Sequence, residues 1–149
     1  MESEQIRSSG SGTGSSPFKI WAPPCGIAVL ILLFSSLPGA YYPEHPDFLN
    51  NGVHILEFGL LAFLLARALH HGYSIPGWGL FLWTTAVCIT FGLLDEAHQF
   101  LVPERVFDLM DLLFDTIGAA TGSGFYIFLS TFEKGITGSG SASSGDLDA

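Results

Sequence analysis

Between residues 18 and 132 the chain is a succession of four long apolar runs, and few folds can accommodate that pattern. The runs cover about 18–37, 52–69, 78–99 and 107–132, each close to the ~20 residues that carry a helix across a ~30 Å hydrocarbon layer. The third includes "GLFLWTTAVCITFGLL" (79–94), which has no charge and is far too long for a strand. Inside hydrocarbon every backbone N–H and C=O must bond within its own segment, which makes such runs helices. Trp21, Tyr41, Tyr42, Tyr73 and Trp78 flank the runs, as aromatic anchors do at a membrane boundary. The expected fold is all-α, an integral membrane bundle of four transmembrane helices.

Composition agrees. Charged residues are 13% and apolar residues 48% of the 149, whereas a small soluble domain needs about a quarter charged. The net charge of −9 excludes nucleic acid as a partner, because phosphate contacts need Lys and Arg. Cys25 and Cys88 both lie in apolar stretches without Cys-x-x-Cys spacing and read as small hydrophobes. Residues 1–17 and 133–149 are largely Ser/Gly-rich and polar, so both are expected to be flexible tails around a membrane domain at 18–132. A cleaved signal peptide is the alternative for the first run. Pro38 sits badly in its cleavage site, and the segment before Lys19 is long.

Five basic residues orient the helices. Arg7 and Lys19 precede the first run, Arg67 ends the second beside His70 and His71, and Lys134 follows the fourth. An even helix count puts these on one side, the cytoplasmic one by the positive-inside rule, and both termini with them. The opposite loops, 41–47 and 100–108, hold a single cation, Arg105.

The polar residues then gather at one level. The second helix starts at the outer side with His54 and Glu57, three apart and on one face. The third ends there with Asp95, Glu96, His98 and Gln99, and the fourth starts with Asp108, Asp111 and Asp115. A carboxylate at mid-helix facing lipid costs about 2.5–3.5 kcal/mol, so these groups must face inward, pair or meet water. They are expected to form one shared polar site, holding protons, a cation or a cationic ligand group. Asp108, Asp111, Asp115, Gly118 and Gly122 follow one another at intervals of three and four, a seam down one helix face. Gly118 and Gly122 make a G-x-x-x-G pair for close helix packing.

"DEAHQF" (95–100) spells a nucleotide-binding ATPase motif, but the chain has two lysines and no G-x-x-x-x-G-K-[ST] loop. The letters coincide by accident. No H-E-x-x-H or Cys/His metal spacing is present, and no cofactor is named by the sequence.

His54 in "HILEF", Asp95, Glu96, His98 and Gln99 in "DEAHQ", and Pro103, Arg105 and Asp111 in "PERVFDLMD", followed by Gly118 and Gly122, resemble the VanZ-like family. Its members are small multi-helix bacterial membrane proteins, named for one that lowers susceptibility to the glycopeptide teicoplanin. The resemblance covers about 50–125 and implies a membrane protein of the cell envelope. This chain departs from the pattern at three positions: Asn51 where Lys is usual, Glu104 where Gly is usual, and Asp115 where Asn is frequent. The site is accordingly more acidic.

Candidate catalytic residues are His54, Asp95, Glu96, His98 and Asp111; candidate ligand-binding residues are Gln99, Arg105, Asp108 and Asp115. Arg105 serves equally as a ligand grip or as a structural ion pair with Glu104 or Asp108. His98 with Asp95 or Glu96 reads as acid–base chemistry or as a satisfied buried pair. Three functions remain open: an outer-leaflet site that binds or modifies a membrane lipid or lipid-linked envelope precursor, a proton or cation carrier, and a structural subunit without chemistry. They differ in where the cluster opens: sideways to lipid, through to the cytoplasm, or nowhere.

Overall fold

The computed structural model describes residues 16–41 and 47–142. Among them the chain is all-helical: α1 Pro17–Ser35, a 3₁₀ turn at Gly39–Tyr41, α2 Asp47–Tyr73, α3 Gly77–Gln99 and α4 Leu109–Ala142. All four α-helices are long and apolar enough to span a membrane. α2 and α4 form the most extensive helix pair, α3 packs against both, and α1 lies mainly along α2.

Small residues explain the α2–α4 pair. A Cβ on Gly118 would stand 2.5 Å from the Ile55 carbonyl oxygen, and one on Gly122 would overlap the carbonyl of Gly59. Only glycine permits two backbones to come this close, and the gain is dispersion along the whole contact. Ala62, Ala66 and Ala119, all fully buried, continue the seam. Around it lie two apolar clusters. One joins Ile31, Phe58, Leu61 and Cys88 of α1, α2 and α3 to Ala119, and the other joins Ala66, Leu80 and Tyr126. The large apolar side chains instead face outward, among them Leu56, Trp83, Leu94 and Phe128, each more than 60% exposed. An inside lined with small and polar groups under an apolar exterior is the arrangement a hydrocarbon solvent favours.

Helix ends differ from expectation at two places. α2 starts at Asp47 instead of about 52 and runs to Tyr73. Its polar first turns lie above the apolar run, so hydropathy alone did not mark them. α4 passes Phe132, where a flexible tail was expected, and continues to Ala142. The apolar span itself stops at Lys134. Beyond it no Pro interrupts the chain, and extending an existing helix needs no new nucleus. The expected tails at 1–15 and 143–149, and Tyr42 of the first loop, lie outside the described residues. Pro23 and Pro24 sit inside α1 without ending it, as membrane helices allow where neighbours re-satisfy the freed carbonyls. Just past the end of α2, Ser74 has a left-handed backbone (φ 53°) and its N–H bonds the His70 carbonyl at 3.0 Å.

Candidate functional site

Among the described residues every buried carboxylate lies toward the end of the bundle that carries the α3–α4 loop: Asp95 and Glu96 near the end of α3, and Asp115 in the second turn of α4. Two polar neighbourhoods result, one toward α1 and one toward the start of α4. Successive residues on a helix point about 100° apart, so Asp95 and Glu96, adjacent in sequence, face different partners.

Asp95 and Gln99 point toward α1. Ser35 Oγ donates to Asp95 Oδ2 at 2.7 Å, and Gln99 Nε2 donates to the same oxygen at 2.8 Å and to Ser35 Oγ at 3.4 Å. This closed triangle ties α1 to α3. Asp95 is 3% exposed, and its other oxygen, Oδ1, is buried without a hydrogen-bond partner. Leaving such an atom unmet inside a protein costs about 1–3 kcal/mol, more for a charged group.

Glu96 points toward the start of α4. Its Oε2 accepts from the Asp108 N–H at 2.9 Å, while Oε1 is buried without a partner. Asp108 is the cap of α4: its Oδ1 accepts the Met110 N–H at 2.8 Å, satisfying one donor the helix start leaves open.

His54 clamps α2 to α4. Its Nδ1 lies 2.9 Å from Asp115 Oδ1 and its Nε2 lies 3.4 Å from Asp111 Oδ2, and Asn50 Nδ2 donates to Asp111 Oδ1 at 3.3 Å. Two acceptors facing each other repel, so each ring nitrogen needs a proton between itself and its carboxylate. An imidazolium with two carboxylates supplies those protons, and so does a neutral ring with one protonated Asp. Either way the trio carries a net charge of −1. Gly92 leaves room for it, because a Cβ there would be 3.0 Å from Asp115 Oδ2 and 3.2 Å from the Phe58 ring.

His98 lies outside both neighbourhoods. It is exposed, with Nε2 3.0 Å from Ser36 Oγ. Ser36 gives its proton to the Leu32 carbonyl at 2.6 Å, so His98 Nε2–H is the donor. Above, the Gly39 N–H donates to the Pro103 carbonyl at 3.2 Å, locking the two loops together. Glu104 adopts a left-handed backbone (φ 61°), a conformation that favours glycine.

A cavity of about 240 Å³ opens between α1, α2 and α3. Its polar wall comprises Ser35, Asn50, His54, Glu57, Asp95 and Gln99, joined by Arg105 from the loop. Phe58, 1% exposed, closes it toward the apolar cluster, while Phe34 and Val53 line it and are about half exposed, at 53% and 50%. Of the residues singled out in the sequence, His54, Glu57, Asp95, Gln99 and Arg105 line this cavity, and Asp111 and Asp115 hold its His54. Glu96 and Asp108 meet at the start of α4, outside the cavity lining, and Gly118 and Gly122 lie in the helix seam. Ser35, Ser36 and Asn50 were missed. Ser35 and Ser36 look like ordinary boundary residues after an apolar run. Asn50 stands four before His54, one helical turn away, and that spacing was the available signal. Among the described residues, no group of three or more His, Cys, Asp or Glu is placed to hold a metal ion.

No curated protein and no solved structure matches the chain significantly. The family model for VanZ/LLP1 matches residues 8–130, a stretch that contains every side chain of the cavity and of the His54 clamp. This four-helix chain belongs to the VanZ/LLP1 family.

Proposed function

We propose that this multi-pass protein sits in the bacterial cell membrane and receives the polar headgroup of an envelope lipid or lipid-linked precursor in the cavity between α1, α2 and α3. Lys19, Arg67 and Lys134 gather at the opposite end, which the positive-inside rule assigns to the cytoplasm, so the cavity belongs to the outer leaflet. The observation that carries the reading is the cavity's mixed lining. Carboxylates and a guanidinium stand beside the half-exposed Phe34 and Val53, both on helices of membrane-spanning length. A headgroup enters such a mouth while its chains stay in lipid. At about 240 Å³ the cavity is smaller than the ~300–1,000 Å³ of sites for drug-sized ligands. It matches a headgroup and not a whole lipid.

A carrier is the weaker reading. From Phe58 to Ala66, from Gly77 to Leu94 and from Thr116 to Phe132 there is no carboxylate, histidine, Lys or Arg. A proton or cation leaving the cavity toward the cytoplasm meets the packed Ile31, Phe58, Leu61 and Cys88. Binding is favoured over acid–base chemistry at His54, since both ring nitrogens are already engaged. A part in glycopeptide susceptibility follows if the ligand is an envelope precursor. The test is lipid extraction from protein purified in mild detergent, wild type beside Val53→Trp, which blocks the mouth. Retained lipid in the wild type and its loss in a folded Val53→Trp supports the reading. Equal lipid content in both overturns it.

A further inference from the structure

The cavity's lining also specifies the kind of headgroup. Asp95 is held from behind: Ser35 and Gln99 both donate to Oδ2, fixing the carboxylate in one orientation. Its Oδ1 is left as a buried acceptor with no donor, on a residue that is 3% exposed and lines the cavity. Glu57 adds a second carboxylate to the same wall, and Arg105 brings a guanidinium to the cavity. A purely anionic headgroup would be attracted by the Arg105 charge and repelled by Asp95 and Glu57. A simple cation would do the reverse. A group that is positive at one end and negative at the other satisfies both.

The positive end needs N–H donors. Oδ1 of Asp95 lacks a hydrogen bond and not merely a charge, and a primary ammonium carries three donors. A quaternary ammonium carries none and is recognised by a cage of aromatic faces, whereas among the described residues the aromatic lining of this cavity is Phe34 and Phe58. The negative end suits phosphate, which a guanidinium grips on two points. Resting on the headgroup reading above, we propose that the cavity selects a primary ammonium beside a phosphate, the chemistry of a phosphoethanolamine headgroup.

Asp95→Asn gives a sharp test because it reverses one polarity and keeps the rest. The Asn oxygen can still accept from Ser35 and Gln99, which places its NH₂ where Oδ1 was, presenting a donor to an incoming donor. The protein is purified whole in detergent and titrated with dihexanoyl-phosphatidylethanolamine, -phosphatidylcholine and -phosphatidylglycerol, and with free phosphoethanolamine, following thermal stabilisation. A charge-assisted hydrogen bond is worth roughly ten- to hundredfold in affinity. The ethanolamine lipid should bind the wild type at least about tenfold more tightly than the choline lipid. Asp95→Asn should erase that preference, and Glu57→Gln, which leaves the Ser35–Asp95–Gln99 triangle intact, should weaken it. Saturable stabilisation by free phosphoethanolamine would make the headgroup alone sufficient. Stabilisation by the lipid only would assign part of the binding to its chains, and both results support the selection if the choline lipid is rejected. Equal binding of all three lipids, unchanged in Asp95→Asn and Glu57→Gln, overturns the selection while sparing the headgroup site. No saturable binding of any lipid overturns both.

Discussion

Removing the His54 ring tests the clamp most sharply. Asp115 is 1% exposed and its Oδ1 is met by His54 Nδ1 at 2.9 Å, so His54→Ala strands a carboxylate among Phe58, Gly92 and Leu112. Breaking one partner of a buried pair costs about 3–5 kcal/mol, because the remaining charge stays desolvated. The His54 and Asp111 side chains are 12% and 15% exposed, and water can reach that side of the trio. The lower bound, about 3 kcal/mol, is therefore the better figure. For a chain of this size each kcal/mol moves the midpoint by about 2–4 °C, giving a fall of roughly 6–12 °C. Asp115→Asn in the same chain should restore part of the loss, since the stranded group is then neutral. A Tm series in detergent on wild type, the single variants and the double variant measures it. A His54→Ala protein melting within about 2 °C of wild type, or a double variant no better than His54→Ala, would refute the claim that the trio joins α2 to α4.

Three further outcomes follow from the backbone and the loops. Gly118→Ala should destabilise by about 1–3 kcal/mol through overpacking against Ile55, while Gly124→Ala, whose Cβ meets nothing within 4 Å, should be neutral or slightly stabilising; equal melting temperatures would remove the seam. Glu104→Gly should raise the midpoint by up to about 1 kcal/mol equivalent, because the φ of 61° is strained for Glu, and a lower midpoint would contradict that. With Cys25 and Cys88 replaced, Glu104→Cys should react in intact cells with an impermeant thiol reagent and Gly72→Cys should not; the reverse pattern would move the cavity to the cytoplasmic leaflet.

The four helices were legible because hydrocarbon imposes a crude rule, about twenty mostly apolar residues with few charges, and α1 to α4 obey it. The gathering of the buried carboxylates at one end was legible for the same reason: charge is excluded from the apolar middle of the helices. What escaped was angular and long-range. "DEAH" reads as one wall, yet Asp95 joins Ser35 on α1, Glu96 joins Asp108, and His98 turns out to Ser36. Which neighbour each face meets depends on the order of helices around the bundle, and periodicity within one helix does not contain it. At position 104, where the resemblance implies Gly, the backbone is left-handed, a conformation glycine adopts without strain and this chain fills with Glu. Asp115, at a position where Asn is frequent, meets His54 in the clamp. That pairing explains how the extra carboxylate is tolerated.

The account turns on whether the space between Asp95, Glu57 and Arg105 holds a ligand. A density map of the protein in nanodiscs made from its own membrane lipids answers that directly. The account predicts headgroup-sized density within hydrogen-bond distance of Asp95 Oδ1, with chain density leaving between Phe34 and Val53. A cavity closed by Glu57 paired to Arg105 across it, with Asp95 Oδ1 turned onto a protein donor, would contradict it.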